Sequence, residues 1–284
     1  MKTLYQNIGG FISASRVPNL IIIAFTQVAT GLILLGIDWN LLLQPSFFGL
    51  IFSTQMIAAA GYIINDYYDQ KIDMINRPTR VIVGVKLRRR IALLSHTLLN
   101  FVAICIGFWV DPLVGMIHTF SAFVLWYYSN RLRRLPLIGN LAIATLSGLT
   151  FLIVAVYFRQ QSNLVMIYAL FAFSITLIRE IIKDIEDVKG EAAFGCETIP
   201  VVWGIQGAKI AIYLTAIGGS VLLLIFLWVM SRGPLLIYFG CLTPAFLGFL
   251  WYLRKADTQE QFSNLHRICN FMILSGLISI LFLV

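Results

Sequence analysis

Two groups of acidic residues share one spacing and could bind divalent cations. Each group holds three acids at positions i, i+3 and i+7, and each follows an apolar run. The first triad is Asp66, Asp69 and Asp73, and the second triad is Asp184, Asp187 and Glu191. On a helix this spacing places all three carboxylates on one face, where they repel one another unless a cation lies between them. The sequence therefore predicts that both triads bind cations, and we expect them to face each other.

The kind of ligand indicates the kind of ion. Sites built from oxygen ligands favour Mg²⁺ or Mn²⁺ over zinc and copper, and protein-bound Mg²⁺ commonly also contacts substrate phosphates. Arg77 and Arg80 follow the first triad and Lys183 precedes the second, so cationic side chains are available for phosphate oxygens. These residues predict a ligand that combines a diphosphate with a lipid-soluble tail. The three histidines are scattered and the four cysteines have no metal-binding spacing, which argues against a zinc site.

Composition places these residues in a membrane protein. Hydrophobic residues make up 59% of the 284 residues and charged residues only 12%, about half the charged fraction of soluble domains. The net charge of +8 is explained by cytoplasmic loops rich in lysine and arginine, so we expect no nucleic-acid partner. We predict an all-α integral membrane protein that forms a single domain over residues 1–284.

Apolar runs long enough to span a bilayer set the architecture. We predict a bundle of nine transmembrane helices at 17–36, 46–64, 91–110, 112–129, 137–158, 162–182, 205–230, 234–253 and 266–284. The third and fourth spans are separated by little more than Asp111-Pro112, which predicts a tight helical hairpin.

The basic residues predict the orientation. With the N-terminus in the cytoplasm, all of the 21 lysines and arginines except Arg159 and Arg232 fall on the cytoplasmic side. The C-terminus then lies outside, both triads lie at the cytoplasmic face of the cell membrane, and loops at about 74–90 and 188–204 would cap the site.

The segments around the triads resemble those of a known family, the UbiA-type intramembrane prenyltransferases. The family motif NDxxDxxxD is matched by Asn65 with the first triad, and the second acidic motif by the second triad, with Glu191 in place of the usual Asp. Other matching segments are Arg16-Val17-Pro18-Asn19, Asn76-Arg77-Pro78 with Arg80 and Gly84, Tyr128-Ser129-Asn130 with Arg131 to Arg134, and Gly195 with Thr198-Ile199-Pro200. The resemblance covers essentially the whole chain.

The resemblance implies transfer of a prenyl group from its diphosphate to a lipophilic acceptor. Asn65 and both triads would hold two Mg²⁺ ions, with Mn²⁺ as a substitute, and Asp66, Asp69, Asp184 and Asp187 would be catalytic. Residues implied to bind substrate are Asn65, Arg77, Arg80, Lys183, Arg16, Arg88, Arg131, Arg134 and Tyr128. Within the family the chain most resembles the branch that attaches a geranylgeranyl group to geranylgeranylglyceryl phosphate, an ether-lipid precursor.

Other functions remain open at this point. The family also prenylates aromatic acceptors such as hydroxybenzoates and naphthoates in quinone synthesis. A transporter with a carboxylate ion site is a more distant alternative, because transporter sites lie near the bilayer midplane whereas these acids cluster at one face. The sequence specifies neither the donor chain length nor the oligomeric state.

Overall fold

The computed structural model describes residues 2–230 and 233–283, and the side chains of residues 7–79, 81–225, 240 and 242–283. The described chain is helical, and its only β-type pairing is an isolated bridge between Val83 and Leu87. The helices are α1 (Lys2–Ala14), α2 (Val17–Ala29), α3 (Trp39–Leu42), α4 (Pro45–Asn76), α5 (Arg89–Val110), α6 (Pro112–Asn130), α7 (Ile138–Phe158), α8 (Asn163–Ala193), α9 (Ile199–Val202), α10 (Gly204–Met230), α11 (Gly233–Lys255) and α12 (Gln259–Ser279). A π-helix (Thr30–Leu34) continues α2, and α1 is a helix that the sequence analysis did not predict.

Seven of the described helical segments are long and apolar enough to cross a membrane, so the count of nine is not confirmed. The predicted span 112–129 is a helix, α6, but it is not among these seven segments. The predicted span 234–253 coincides with α11, and many of its side chains lie outside the described residues. The protein is an all-helical integral membrane protein with multiple spans.

The helices that carry the triads continue beyond the predicted spans. α4 has 32 residues and α8 has 31, which correspond to lengths of about 48 and 46 Å at about 1.5 Å per residue. The apolar core of a bilayer is about 30 Å thick, so both helices are longer than a membrane requires. The predicted loop 188–204 is therefore wrong in its bounds. α8 continues to Ala193, and only residues 194–198 separate it from α9.

The chain divides into two compact units. The first unit comprises residues 1–32, 36–133 and 153–160. Within it α4 packs against α1, α2, α5 and α6. The predicted hairpin is confirmed: α5 ends at Val110, α6 begins at Pro112, and the Asp111 carboxylate accepts a hydrogen bond from the Leu113 amide at 2.8 Å. The close approach of α5 and α6 requires Gly107, where a Cβ would lie 2.6 Å from His118 Nδ1.

The second unit comprises residues 33–35, 134–152 and 161–284. Within it α8 packs against α9, α10 and α12. Its apolar core includes Ile181, Ile182 and Ile185 on α8 together with Phe262 and Leu265 on α12, all buried. These contacts pack α8 into this unit, and the second triad on the same helix is also buried.

Candidate active site

The first triad lies on α4, in the first unit. Asp69 is 4% exposed and Asn65 is 9% exposed, while Asp66 and Asp73 are partly exposed. The predicted helical face is therefore confirmed, and it is partly buried. Asn65 Nδ2 is buried and has no hydrogen-bond partner among the described residues, which is unusual for an amide.

Asp66 is paired with Arg16, which lies between α1 and α2. Arg16 Nη2 is 2.9 Å from Asp66 Oδ1, and the guanidinium carbon lies 4.9 Å from the centre of the Tyr62 ring. The backbone of Arg16 is left-handed, with φ 51° and ψ 54°. A non-glycine residue in this region is strained by about 1–3 kcal/mol, and such strain is concentrated at functional sites. The break between α1 and α2 thus directs this arginine toward the first triad.

Asp69 is paired with Arg133, in the short helical turn Leu132–Arg134 that follows α6. Both side chains are 6% exposed, so the ion pair is buried. Arg131 and Arg134, the basic residues that the resemblance implied, are exposed. The predicted residue Tyr128 is buried near the end of α6. The arginine of this segment that pairs with the first triad is therefore Arg133, which the sequence analysis did not select.

The loop after α4 folds back on the helix. The Arg77 amide donates a hydrogen bond to the Asp73 carbonyl at 2.8 Å, which ends α4, and the side chain of Arg80 lies outside the described residues. Gly84 has φ 88°, and a Cβ there would overlap the Gln70 amide. Arg89 donates to Gln70 Oε1 at 3.3 Å, and both Arg89 and the predicted residue Arg88 are exposed.

The second triad lies on α8, in the second unit, and is more deeply buried than the first. Asp184, Asp187 and Glu191 are 8%, 2% and 1% exposed. Asn140 Nδ2 on α7 donates to Asp184 Oδ2 at 2.7 Å. Thr198 Oγ1, just before α9, donates to Glu191 Oε2 at 2.6 Å. Charge-assisted hydrogen bonds of this length fix the orientation of the carboxylates.

A fourth buried acid, Glu180, precedes the second triad by one turn of α8 and is 6% exposed. Its carboxylate pairs with Arg179 at 2.8 Å and with Lys183 at 3.8 Å. The predicted phosphate-binding residue Lys183 is therefore partly neutralised by a neighbouring acid. Because the two charges are close, Glu180 also restricts where the Lys183 ammonium can lie.

The donor atoms of each triad fit Mg²⁺. The available ligands are carboxylate oxygens and the Asn65 amide, which are the oxygen donors that Mg²⁺ prefers. Among the described side chains, however, no three acidic, histidine or cysteine residues are already arranged around a common point. Several of the acids are instead oriented by arginine, asparagine or threonine. A bound ion would therefore have to replace some of these contacts.

Sequence reasoning missed Arg133, Asn140 and Glu180. For Asn140 and Glu180 a signal was available, because each is a polar or ionisable residue inside a predicted span, where such residues are usually functional. For Arg133 no signal distinguishes it from the neighbouring Arg131 and Arg134.

Comparison with known proteins identifies the family of this chain. The family model described as the UbiA prenyltransferase family matches residues 16–275. The chain belongs to the UbiA prenyltransferase family. It is a membrane prenyltransferase. It is similar to the digeranylgeranylglyceryl phosphate synthase of Methanothermobacter thermautotrophicus, with 32% identity over 196 residues that cover 69% of this chain and 67% of that protein.

Solved structures show the same fold. A structure described as digeranylgeranylglyceryl phosphate synthase in membranes superposes with a TM-score of 0.74 and 22% identity, over 99% of this chain and 98% of the other. A UbiA homologue from Archaeoglobus fulgidus, bound to GPP and Mg²⁺, gives a TM-score of 0.69 at 15% identity, over 95% of this chain and 99% of the other. The chain therefore has the UbiA fold, and at least one protein with that fold binds Mg²⁺.

Proposed function

We propose that this prenyltransferase transfers a geranylgeranyl group from its diphosphate to geranylgeranylglyceryl phosphate, as a digeranylgeranylglyceryl phosphate synthase in archaeal ether-lipid synthesis. The observation that carries the proposal is the pair of acidic triads on α4 and α8, each with buried carboxylates oriented by specific partners. The acceptor is supported by similarity to the synthase of M. thermautotrophicus.

Two Mg²⁺ ions would be held by Asn65 and the two triads, directly or through water. Bound Mg²⁺ supplies the positive charge that stabilises the diphosphate as it leaves. The oxygen donors of both triads and the Mg²⁺ bound to the A. fulgidus homologue support this cofactor.

The basic side chains then orient the donor. Arg77, Arg80 and Lys183 would contact diphosphate oxygens, since guanidinium and ammonium groups neutralise the charge that develops there. The bond between the first prenyl carbon and the diphosphate oxygen breaks. The glycerol hydroxyl oxygen forms a new bond to that carbon, and its proton is taken up by the departing diphosphate. Apolar and aromatic side chains would exclude water from the allylic carbon.

For the membrane arrangement we propose nine spans, with α6 and α11 added to the seven apolar helices, in one domain over residues 1–284. The N-terminus and both triads would face the cytoplasm, with the loops after α4 and α8 covering the site in the cell membrane. One contact agrees with the placement of Arg159 and Asp111 on the same side of the membrane: Arg159 Nη2 lies 3.3 Å from Asp111 Oδ2.

A transfer assay tests the proposal. The purified full-length chain in detergent is given Mg²⁺ and radiolabelled geranylgeranyl diphosphate, with geranylgeranylglyceryl phosphate in one reaction and hydroxybenzoate or dihydroxynaphthoate in others. We expect label on the glycerol phosphate only, and its loss with EDTA. Asp187→Asn should reduce transfer at least a hundredfold, whereas Asp38→Asn should leave it unchanged because Asp38 only caps α3. Label on an aromatic acid alone would show that the acceptor is aromatic and not geranylgeranylglyceryl phosphate. No transfer to any acceptor would refute the proposed function.

A further inference from the structure

Two acids of the first triad are already paired with cations supplied by the protein itself. Arg16 holds Asp66, and Arg133 holds Asp69. The two arginines come from different segments, one before α2 and the other after α6. The backbone of Arg16 is left-handed and the side chain of Arg133 is buried, two features that each cost free energy and that the surrounding structure must offset.

These pairs compete with a metal ion for the same carboxylates. Mg²⁺ binds oxygen ligands at about 2.0–2.1 Å and requires near-ideal octahedral geometry. A guanidinium within hydrogen-bonding distance of the same carboxylate brings a second positive charge close to the ion, which opposes metal binding. Binding of a metal ion to Asp66 or Asp69 therefore weakens the ion pair that the same carboxylate makes with its arginine.

A displaced arginine needs a new anion. An unpaired guanidinium in the buried position of Arg133 would be strongly unfavourable. A diphosphate offers several oxygens, and arginine binds phosphate in a bidentate manner. A diphosphate that binds together with the metal ions can therefore replace the carboxylates as the ion-pair partner of both arginines.

We propose that Arg16 and Arg133 are exchange residues: they neutralise Asp66 and Asp69 before substrate binds, and they move to the diphosphate when metal ions take the carboxylates. This rests on the proposed function for its ligands, and it assigns Arg133 as a further substrate-positioning residue. The consequence is coupled binding, in which metal ions and diphosphate each increase the affinity of the other by the same factor. Neither should bind tightly alone.

The test measures Mn²⁺ binding by electron paramagnetic resonance, using the full-length chain in detergent with and without inorganic pyrophosphate. Binding is compared at equal free Mn²⁺, which corrects for complexes formed in solution. For the wild-type protein we expect weak Mn²⁺ binding alone and at least tenfold tighter binding with pyrophosphate. Arg16→Met and Arg133→Met should each bind Mn²⁺ alone about tenfold more tightly and pyrophosphate about tenfold more weakly. The matched control Arg90→Met removes an exposed charge and should change neither affinity by more than twofold.

A melting-temperature measurement and one further variant distinguish the exchange from misfolding and from simple charge effects. Arg133→Met leaves Asp69 buried without its partner, so Mn²⁺ should raise its melting temperature more than that of the wild type. Arg133→Lys keeps the charge without the bidentate group, so its Mn²⁺ affinity should stay near the wild-type value while pyrophosphate binding weakens. Unchanged Mn²⁺ affinity in both methionine variants, or no effect of pyrophosphate on the wild type, would overturn the exchange. Prenyl transfer is not measured here, so failure of the proposed acceptor would leave these results intact.

Discussion

Replacing Asn140 tests whether hydrogen bonds from neighbouring side chains orient the second triad for metal binding. Its amide donates to Asp184 Oδ2 at 2.7 Å, and the two residues are 6% and 8% exposed. Asn140→Leu keeps the branched shape and the number of side-chain heavy atoms but removes the only hydrogen-bond donor in this side chain. A hydrogen bond to a charged group contributes about 1.5–3 kcal/mol, which corresponds to about a tenfold to hundredfold change in an equilibrium constant.

We therefore expect Asn140→Leu to weaken Mn²⁺ binding in the presence of pyrophosphate by about 10- to 100-fold, the usual effect of removing a group that orients a metal ligand. The melting temperature should also fall by roughly 3–12 °C, given about 2–4 °C per kcal/mol for a chain of this size. The matched control is Thr145→Val, also on α7, where an exposed hydroxyl donates only to the Leu141 carbonyl. Both variants are measured by spectroscopic Mn²⁺ titration and thermal unfolding in the same detergent. A folded Asn140→Leu protein that binds Mn²⁺ within twofold of Thr145→Val would refute the reasoning.

Two other predictions concern stability. Glu180→Ala should lower the free energy of unfolding by about 3–5 kcal/mol, because Arg179 and Lys183 lose a buried counter-charge. Thermal unfolding should show a much smaller loss for the exposed control Glu260→Gln, and equal losses would contradict this role of Glu180. Gly84→Ala should destabilise the loop after α4 by about 1–3 kcal/mol, since φ 88° is unfavourable for alanine and its Cβ would overlap Gln70. Limited proteolysis should then cleave residues 77–88 faster than in the wild type, while an unchanged rate would show that the loop adapts at no cost.

Much of the fold could be predicted because it depends on local properties. Seven predicted spans coincide with apolar helices, since a run of about 20 apolar residues is stable as a helix in lipid wherever it occurs. The ends of α4 and α8 could not be predicted from hydropathy, because polar residues such as Asp69 and Asp187 can continue a helix beyond its apolar part. α1 was missed for a related reason, as it lies before the first apolar run.

The acidic triads illustrate what the sequence alone determines. Spacing of i, i+3 and i+7 places three side chains on one face of any α-helix, so the chemistry of each triad follows from local geometry. The partners of these acids, in contrast, do not follow from local geometry. Asp184 is bound by Asn140, 44 positions away in the chain, and Asp69 by Arg133 rather than by Arg131 or Arg134. Only the packing of helices decides which polar side chain points inward and which remains exposed, because side-chain direction depends on the position and rotation of the whole element. The sequence therefore determined which atoms could bind a metal ion, and the tertiary structure decided what holds them before one binds.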